Sequence, residues 1–313
     1  MLEVRTAGRL GYCFGVSQAI EKAVRFAQEN GSLHTLGTLA HNEAVVAHLR
    51  AHHVDPIDAE QVTRGMDVAI TTHGTLPATY RTLEELECRV LDCTCPIVRK
   101  AQRVVSQQLD GYDVVIHGDP CHQEVIGLNG WAGGARFVGT FNSLFTEQQE
   151  FRELRLSGRV GVVSQTTRIP ADFADFVTTL AHQFLGKVSE LRVMNTICPI
   201  SAARLAQTRR LAAEVNLMLV VGSRESANTS NLAAVARSGV GADSVFIIQS
   251  ADQVIRTLGA WWMNGDGDRR RCYGTRLDSP EEPFRIGITA GTSTPIEVVN
   301  EVVSRVKETA GAG

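Results

Sequence analysis

The sequence lacks the features that mark a nucleic-acid-binding protein or a membrane protein. Neither sign of charge is in excess, since 31 basic residues stand against 34 acidic ones. No uninterrupted apolar run reaches the roughly 18 residues that a transmembrane helix needs. Residues 1–5 do not follow the basic and then apolar pattern of a signal peptide. We therefore expect no nucleic acid and no membrane as partners, and a cytoplasmic location.

Motifs of common cofactor sites are missing as well. The chain has no G-x-G-x-x-G, no G-x-x-x-x-G-K-[ST] phosphate loop and no H-E-x-x-H. Its seven cysteines never form Cys-x-x-Cys, which argues against a zinc knuckle or a thioredoxin-type redox pair. His122 and Glu124 have the H-x-E form of zinc deaminases, but no Cys-x-x-Cys follows them. The cysteines therefore either form a metal or cluster site from distant positions or serve only as packing residues.

Length and composition are those of an ordinary globular protein. The 313 residues are about twice a typical domain of roughly 150, which predicts two or three lobes. Apolar residues make up 43% and charged residues 21%, so neither disorder nor a fibrous structure is indicated.

Three cysteines repeat one local pattern along the chain. Cys13, Cys95 and Cys198 each precede a segment with apolar residues at helical spacing. Pro96 and Pro199 directly follow two of them, which suits the first position of a helix because no amide hydrogen is needed there. Each cysteine is therefore predicted at a helix N-terminus, where the helix dipole favours the thiolate.

Six predicted strands lead to polar turns. Strands that alternate with helices form parallel sheets, and ligands of such sheets bind at the carboxyl ends of the strands. The strands and turns are 33–39 before His41 and Asn42, 68–70 before 71–74, 114–116 before 122–124, 160–163 before 164–167, 217–221 before 226–228, and 286–288 before 289–293. All six turns are expected at that functional edge.

These patterns predict an α/β fold of three pseudo-symmetric lobes with parallel sheets, each of which offers one cysteine and two polar turns to a common centre. The first lobe spans 1–95 with Cys13, the second 96–195 with Cys95 at its start, and the third 196–300 with Cys198 at its start. A C-terminal tail follows at 301–313. The segment 258–278 reads as a surface insertion with a solvated run of arginines.

Three thiolates from three lobes would hold three irons of a [4Fe-4S] cluster and leave one iron without a protein ligand. Such an iron can act as a Lewis acid and can also pass single electrons. The alternative is that Cys13, Cys95 and Cys198 are buried structural thiols, but the repeated pattern argues against it.

The polar turns supply groups for an anion and for a proton. Imidazoles, hydroxyls and amides can bind a phosphate or diphosphate without lysine or arginine. The candidates for this role are His41, His73, His122, Ser226, Asn228 and Ser293. Glu124 is a candidate general acid, with Thr166 or Thr167 as its proton relay, and His122 is a further candidate catalytic residue.

In combination these motifs resemble those of the hydroxymethylbutenyl diphosphate reductase family, also called the LytB or IspH family. The resemblance covers nearly the whole chain, in order. The motifs that carry it are Gly11-Tyr12-Cys13-Phe14-Gly15-Val16, His41-Asn42, Thr72-His73-Gly74, Thr94-Cys95-Pro96, His122-Gln123-Glu124-Val125, Ser164-Gln165-Thr166-Thr167, Thr196-Ile197-Cys198, Val221-Gly222-Ser223 with Asn228, and Ile288-Thr289-Ala290-Gly291-Thr292-Ser293.

The resemblance implies a trefoil α/β oxidoreductase of isoprenoid biosynthesis that acts at the last step of the methylerythritol phosphate route. It implies a [4Fe-4S] cluster on Cys13, Cys95 and Cys198, and reduction of 4-hydroxy-3-methylbut-2-enyl diphosphate to isopentenyl and dimethylallyl diphosphates. The diphosphate contacts, the acid and the relay of the family fall on the residues named above. Electrons would come from a donor such as ferredoxin or flavodoxin.

Departures from the family pattern keep two alternatives open. Ala227 stands where a second serine is common, and Asp119 stands where a histidine is usual. An added carboxylate beside an anion site would weaken phosphate binding if it faced inward. The alternatives are a paralogue that reduces or dehydrates a different substrate, and a non-enzymatic cluster-binding protein.

Overall fold

The computed structural model describes residues 2–143, 153–263 and 283–311, in which strands alternate with helices. The strands are β1 (Leu2–Thr6), β2 (Leu33–Leu36), β3 (Val54–Ile57), β4 (Asp67–Ile70), β5 (Arg89–Asp92), β6 (Asp113–His117), β7 (Phe137–Gly139), β8 (Arg159–Ser164), β9 (Glu190–Val193), β10 (Leu217–Val221), β11 (Val245–Ile248) and β12 (Phe284–Ala290). The α-helices are α1 (Phe14–Asn30), α2 (Glu43–Arg50), α3 (Pro77–Glu85), α4 (Pro96–Arg103), α5 (Gln123–Trp131), α6 (Pro170–Phe184), α7 (Pro199–Ala212), α8 (Ala227–Val240), α9 (Asp252–Met263) and α10 (Ile296–Gly311).

The predicted surface insertion at 258–278 begins inside α9, and its residues 264–278 lie outside the described ranges, as does Cys272. Within those ranges, no helix has both the length and the apolar character that crossing a bilayer requires.

Proline begins four of the helices, α3, α4, α6 and α7. A proline at the first helical position loses no hydrogen bond, because the amide there has no partner within the helix. Two of these prolines, Pro96 and Pro199, directly follow Cys95 and Cys198. Both cysteines therefore lie at helix N-termini, as their sequence pattern predicts.

The chain folds into two compact units whose segments alternate along the sequence. One consists of Met1–Cys13, His41–Val45 and Ala203–Gly313, and the other of Phe14–Ala40 and Val46–Ala202.

The first unit is built on one parallel sheet with strand order β1-β12-β10-β11. All five residues of β10 are buried, which is typical of a parallel strand covered on both faces. Val302 and Val306 of α10 pack into the same apolar core as Leu219 and Ile288. Residues 301–311, predicted as a tail, thus continue a helix that packs on this sheet.

The second unit contains two parallel sheets, with strand orders β3-β2-β4-β5 and β7-β6-β8-β9. Phe176 of α6 packs on Val160 and Val162 of the latter sheet. Helix α5 lies close to the turn before α3, because Trp131 Nε1 donates a hydrogen bond of 2.9 Å to the carbonyl of Thr75. This contact fixes the C-terminal end of α5 relative to the segment between β4 and α3.

Each of the three sheets takes its strands from one stretch of the chain, except that β1 joins the sheet of β10, β11 and β12. Strand β1 pairs with β12, with Leu2 opposite Phe284, so the N-terminal strand belongs to the sheet of the predicted third lobe. The limits of the lobes at residues 95, 195 and 300 stay predictions.

Candidate functional site

Glu124 lies in the first turn of α5 and is held there by Thr166. Its side chain is 1% exposed. Oε1 accepts a hydrogen bond of 2.6 Å from the Thr166 amide, and Oε2 accepts one of 2.8 Å from Thr166 Oγ1. Burial raises the pKa of Glu124 to about 7, while both hydrogen bonds act in the opposite direction. A carboxyl with such a pKa can hold or release a proton near neutral pH.

Gln165 connects the turn after β6 with the turn after β8. Its Oε1 accepts a hydrogen bond of 3.1 Å from the Asp119 amide, and its Nε2 donates one of 2.8 Å to Thr167 Oγ1. Of the two threonines that the sequence left open as the relay, Thr166 contacts Glu124, and Thr167 is bound by Gln165. Sequence reasoning did not single out Gln165, although its place between a strand and two threonines was visible.

His122 is the N-cap residue of α5 and lies beside His73. Its Nδ1 accepts a hydrogen bond of 3.2 Å from the Glu124 amide, which leaves the proton of a neutral ring on Nε2. The two imidazole rings meet edge to face with centroids 5.5 Å apart. The second unit thus brings His73, His122, Glu124 and Thr166 to the carboxyl ends of β4, β6 and β8.

Cys95 and Cys198 are held in the same way. The Cys95 amide donates to the Thr72 carbonyl at 3.0 Å, and the Cys198 amide donates to the Thr166 carbonyl at 2.8 Å. The carbonyl of each cysteine then accepts the first hydrogen bond of its helix. Both thiols are half-buried, and neither forms a disulfide with another cysteine of the described ranges.

Two further features concern the sulfur of Cys95. A Cβ on Gly15 would come within 2.7 Å of Cys95 Sγ, so the start of α1 lies against this sulfur. Cys93 is different, because it is buried and its Sγ points to the carbonyl of Ala19 at 3.9 Å. Burial raises the pKa of the Cys93 thiol to about 12, which disfavours it as a metal ligand.

Cys13 of the first unit repeats the backbone pattern of the other two cysteines. Its amide donates to the Thr292 carbonyl at 2.9 Å, in the turn after β12. The carbonyls of Ala290 and Gly291, where β12 leads into this turn, accept hydrogen bonds from the guanidinium of Arg204, a buried residue of α7. Sequence reasoning missed Arg204, although it falls on the buried face of α7 with Ser201 and Thr208.

The first unit also holds four of the predicted anion-binding residues. Ser226 is the N-cap of α8 and accepts a hydrogen bond of 3.4 Å from the Thr229 amide, and Asn228 Nδ2 donates to Thr292 Oγ1 at 3.3 Å. The buried Ser293 Oγ has no hydrogen-bond partner in the part of the chain that the structure describes. Burial lowers the pKa of His41, while nearby Glu225 raises it.

The two units thus divide the predicted residues between them. The first contains Cys13, His41, Ser226, Asn228 and Ser293, and the second contains His73, Cys95, His122, Glu124, Thr166, Thr167 and Cys198. Within either unit alone, no three His, Cys, Asp or Glu side chains of the described residues gather as a metal site. A cluster on the three cysteines therefore stays a prediction.

Asp119, a departure from the family pattern, is engaged by its own turn. Its Oδ1 accepts a hydrogen bond of 3.0 Å from the Cys121 amide. Its charge also interacts with Arg168, a guanidinium whose pKa is lowered by burial and raised by Asp172 and Asp119. The carboxylate thus has a backbone donor and a cation nearby, which reduces its repulsion of an anionic ligand.

These features define a class, an α/β protein of parallel sheets whose reactive side chains lie at the carboxyl ends of the strands. The family model of the LytB protein matches residues 4–307. The chain belongs to this family, which confirms the resemblance found in the motifs.

Curated relatives span the whole chain. A 4-hydroxy-3-methylbut-2-enyl diphosphate reductase of Dehalococcoides mccartyi is 35% identical over 306 residues, covering 97% of both chains. A relative of the same name from Geobacter sulfurreducens is 34% identical over 310 residues, covering 98% of both.

Solved structures agree with this assignment. The structure of (E)-4-hydroxy-3-methyl-but-2-enyl diphosphate reductase, described as the terminal enzyme of the non-mevalonate pathway, matches with a TM-score of 0.63 at 29% identity, covering 98% of this chain and 100% of that one. The E-1-hydroxy-2-methyl-but-2-enyl-4-diphosphate reductase of Plasmodium falciparum shares the fold, with a TM-score of 0.78 at 22% identity over 96% of this chain and 87% of its own. The predicted α/β class with three parallel sheets is confirmed.

Proposed function

We propose that this chain is an oxidoreductase that converts 4-hydroxy-3-methylbut-2-enyl diphosphate to isopentenyl and dimethylallyl diphosphates, the last step of the methylerythritol phosphate route. Membership of the LytB family over residues 4–307 supports the reaction. The observation that carries its chemistry is the buried Glu124 carboxyl, bound twice by Thr166.

The reaction replaces an allylic hydroxyl by hydrogen and therefore takes up two electrons and two protons. One proton leaves with the hydroxyl as water, and the other ends on the carbon skeleton. Glu124 can hold the first proton because burial raises its pKa to about 7. Thr166 Oγ1, which donates to Glu124 Oε2 at 2.8 Å, is the proposed relay. The Thr167 hydroxyl stays an alternative.

Two groups of polar residues are proposed to bind the diphosphate. The first unit would contribute His41, Ser226, Asn228 and Ser293, and the second His73 and His122. The buried Ser293 Oγ, which has no hydrogen-bond partner among the described residues, supports this assignment, because a buried hydroxyl is stabilised by a hydrogen bond with a ligand. His122 adds an N–H at Nε2, because its Nδ1 is occupied as an acceptor.

The donor set fits a [4Fe-4S] cluster with one iron that lacks a protein ligand. Cys13, Cys95 and Cys198 share one backbone arrangement. Each amide donates to a carbonyl in the turn after a strand, and each half-buried cysteine directly precedes a helix. Helix N-termini favour thiolates, which are the ligands of iron-sulfur clusters. When bound, such a cluster supplies single electrons and a Lewis acid for the substrate oxygen.

An electron donor such as ferredoxin or flavodoxin is proposed as the macromolecular partner, because the reaction needs single electrons from outside the chain. The small-molecule diphosphate is the other partner. The cytoplasmic location, together with the predicted absence of nucleic acid and membrane partners, stays a prediction.

Anaerobic reconstitution with iron and sulfide, followed by an assay with the diphosphate and a chemical reductant, tests the proposal. Wild-type protein should form both products. Glu124→Gln should lower turnover about a hundredfold to ten-thousandfold, the range of a positioned acid, with unchanged iron content. Intact iron content without turnover in the wild type would refute the proposed reaction.

The same assay separates the remaining alternatives. A paralogue for another substrate would turn over an analogue faster than the ordinary diphosphate. A non-enzymatic cluster protein would show no difference between the wild type and Glu124→Gln. The hydrogen bond from the Cys121 amide to Asp119 favours the ordinary substrate, because it occupies the added carboxylate.

A further inference from the structure

Arg204 is a buried cation on α7 that binds only carbonyl oxygens within the described residues. The residue is only 3% exposed. Nη1 donates to the carbonyls of Ala290 at 3.0 Å and Gly291 at 3.1 Å, and Nη2 donates to the carbonyl of Gly11 at 2.8 Å. Its Nε has no hydrogen-bond partner in the same part of the chain.

The three carbonyls belong to the two turns that meet at Cys13. Gly11 lies two residues before Cys13, and its φ of +79° is a conformation that glycine adopts readily. Gly291 directly precedes Thr292, whose carbonyl accepts the Cys13 amide at 2.9 Å. The guanidinium therefore ties the Cys13 turn to the turn after β12 from one side, and the Cys13–Thr292 hydrogen bond ties them from the other.

The buried charge of Arg204 would be stabilised by a nearby anion. A buried guanidinium that binds only neutral carbonyls leaves part of its desolvation uncompensated. Burial accordingly lowers the pKa of Arg204, Arg9 adds to this effect, and the Cys13 thiol opposes it. The Cys13 side chain is therefore near enough to interact with this cation.

We infer that Arg204 is a positioning residue that holds Cys13 in place for the cluster and that its buried positive charge favours the reduced, more negative form of that cluster. The inference rests on the proposed function, since it concerns the same three-cysteine site. It also concerns substrate binding, because Ser293 follows the turn that Arg204 anchors.

Two substitutions separate the charge of Arg204 from its hydrogen bonds. Arg204→Gln removes the charge and most of the fork, whereas Arg204→Lys keeps the charge and loses the bidentate geometry. Arg210→Gln is the matched control, because it removes a positive charge from the exposed face of the same helix.

The first measurement is amide hydrogen exchange of the protein before reconstitution, which needs no cluster. Arg204→Gln should speed exchange at residues 11–13 and 291–293 at least tenfold and leave β10 protected, while Arg210→Gln should match the wild type. Unchanged exchange at both turns in Arg204→Gln would overturn the positioning role, whether or not the wild type later binds iron.

The second measurement is the midpoint potential of the reconstituted proteins, followed by electron paramagnetic resonance during reductive titration. Arg204→Gln should shift the one-electron equilibrium toward the oxidised form about tenfold, which is about 59 mV. Arg204→Lys should stay within about threefold of the wild type. Equal potentials for wild type and Arg204→Gln, or a tenfold shift in Arg204→Lys, would overturn the role of the charge. Absence of iron from the wild type would instead contradict the proposed function, and the exchange result would still decide the positioning role.

Discussion

The sulfur of Cys95 occupies space that a side chain at Gly15 would need. A Cβ on Gly15 would lie 2.7 Å from Cys95 Sγ, closer than carbon and sulfur atoms approach without a shift of one of them. Gly15 is the second residue of α1, where alanine would favour the helix by about 1 kcal/mol. Local helix propensity and the position of the Cys95 thiol therefore make opposite demands at this residue.

Gly15→Ala is expected to lower the free energy of unfolding by about 1 to 3 kcal/mol, the usual effect of overpacking, in spite of the better helix propensity. The displaced sulfur should also reduce the iron bound after reconstitution. Urea unfolding and iron analysis measure the two effects. Gly127→Ala in α5 is the control, because the nearest atom to its Cβ is the Thr75 carbonyl oxygen at an ordinary 3.5 Å. A Gly15→Ala protein with wild-type stability and iron content would show that the sulfur has room to move.

Cys93 and Cys95 should respond differently to the same substitution. Cys95→Ser should remove about a third or more of the bound iron, because it would delete one of three proposed ligands. Cys93→Ser should keep the iron content and lose about 1 kcal/mol of stability, since its thiol is buried against the Ala19 carbonyl. Iron and sulfide analysis of both variants, made in parallel, checks this. Iron loss in Cys93→Ser with retention in Cys95→Ser would exchange the two assignments.

Much of this fold was predictable because its signals are local. Strand β10 is a run of five buried apolar residues, and the prolines after Cys95 and Cys198 mark helix starts. Motifs after the strands also identified the family. These features depend on residues close together in sequence, where periodicity and backbone chemistry act directly.

Pairings between distant segments were harder to predict. Nothing local to β1 indicates that it pairs with β12, because the sequence of a short edge strand does not specify which sheet it joins. The choice between Thr166 and Thr167 depends on which side chain the chain turns toward Glu124 after β8, and adjacent polar residues do not encode it. Helix α10 is a different case. Val299, Val302 and Val306 recur at helical spacing, and this pattern could have predicted a helix instead of a tail.

The stability of the protein should depend on pH through Glu124. Burial raises its pKa from 4.5 to about 7, so the folded state binds the proton more tightly than the unfolded chain does. This contribution is fully present below the unfolded pKa and is lost as pH rises from about 4.5 through 7. The loss amounts to at most about 3 to 4 kcal/mol, at about 1.4 kcal/mol per unit of pKa.

Glu124→Gln should remove this loss, because the amide is neutral throughout. Urea unfolding of the unreconstituted protein should show the variant about equal to the wild type at pH 5 and more stable at pH 8. Asp119→Asn serves as the control for a carboxyl whose partner is the Cys121 amide. A wild type that gains stability relative to Glu124→Gln as pH rises would contradict the raised pKa.

His117 should produce the opposite dependence on the acid side. The residue is 0% exposed, its Nδ1 lies 3.1 Å from Ser164 Oγ, and its ring lies against Phe173 and Phe176 with centroids 5.6 and 4.9 Å away. Burial, with a smaller effect of Arg168, lowers the pKa of His117 to about 3.

The unfolded chain takes up this proton below a pKa of about 6.5, whereas the folded protein does not until about pH 3. The contribution of the neutral His117 to the free energy of unfolding is therefore fully present above pH 6.5. It is lost as pH falls from there toward 3, by up to about 1.4 kcal/mol for each pH unit. His117→Gln should be less stable than the wild type at pH 7, because it loses the ring contacts, but its stability should fall less between pH 6.5 and 4. His182→Gln, on the exposed end of α6, is the comparison for a surface histidine. Parallel urea unfolding curves at half-unit pH steps measure the two slopes, and equal slopes for wild type and His117→Gln would mean that another group controls the acid sensitivity.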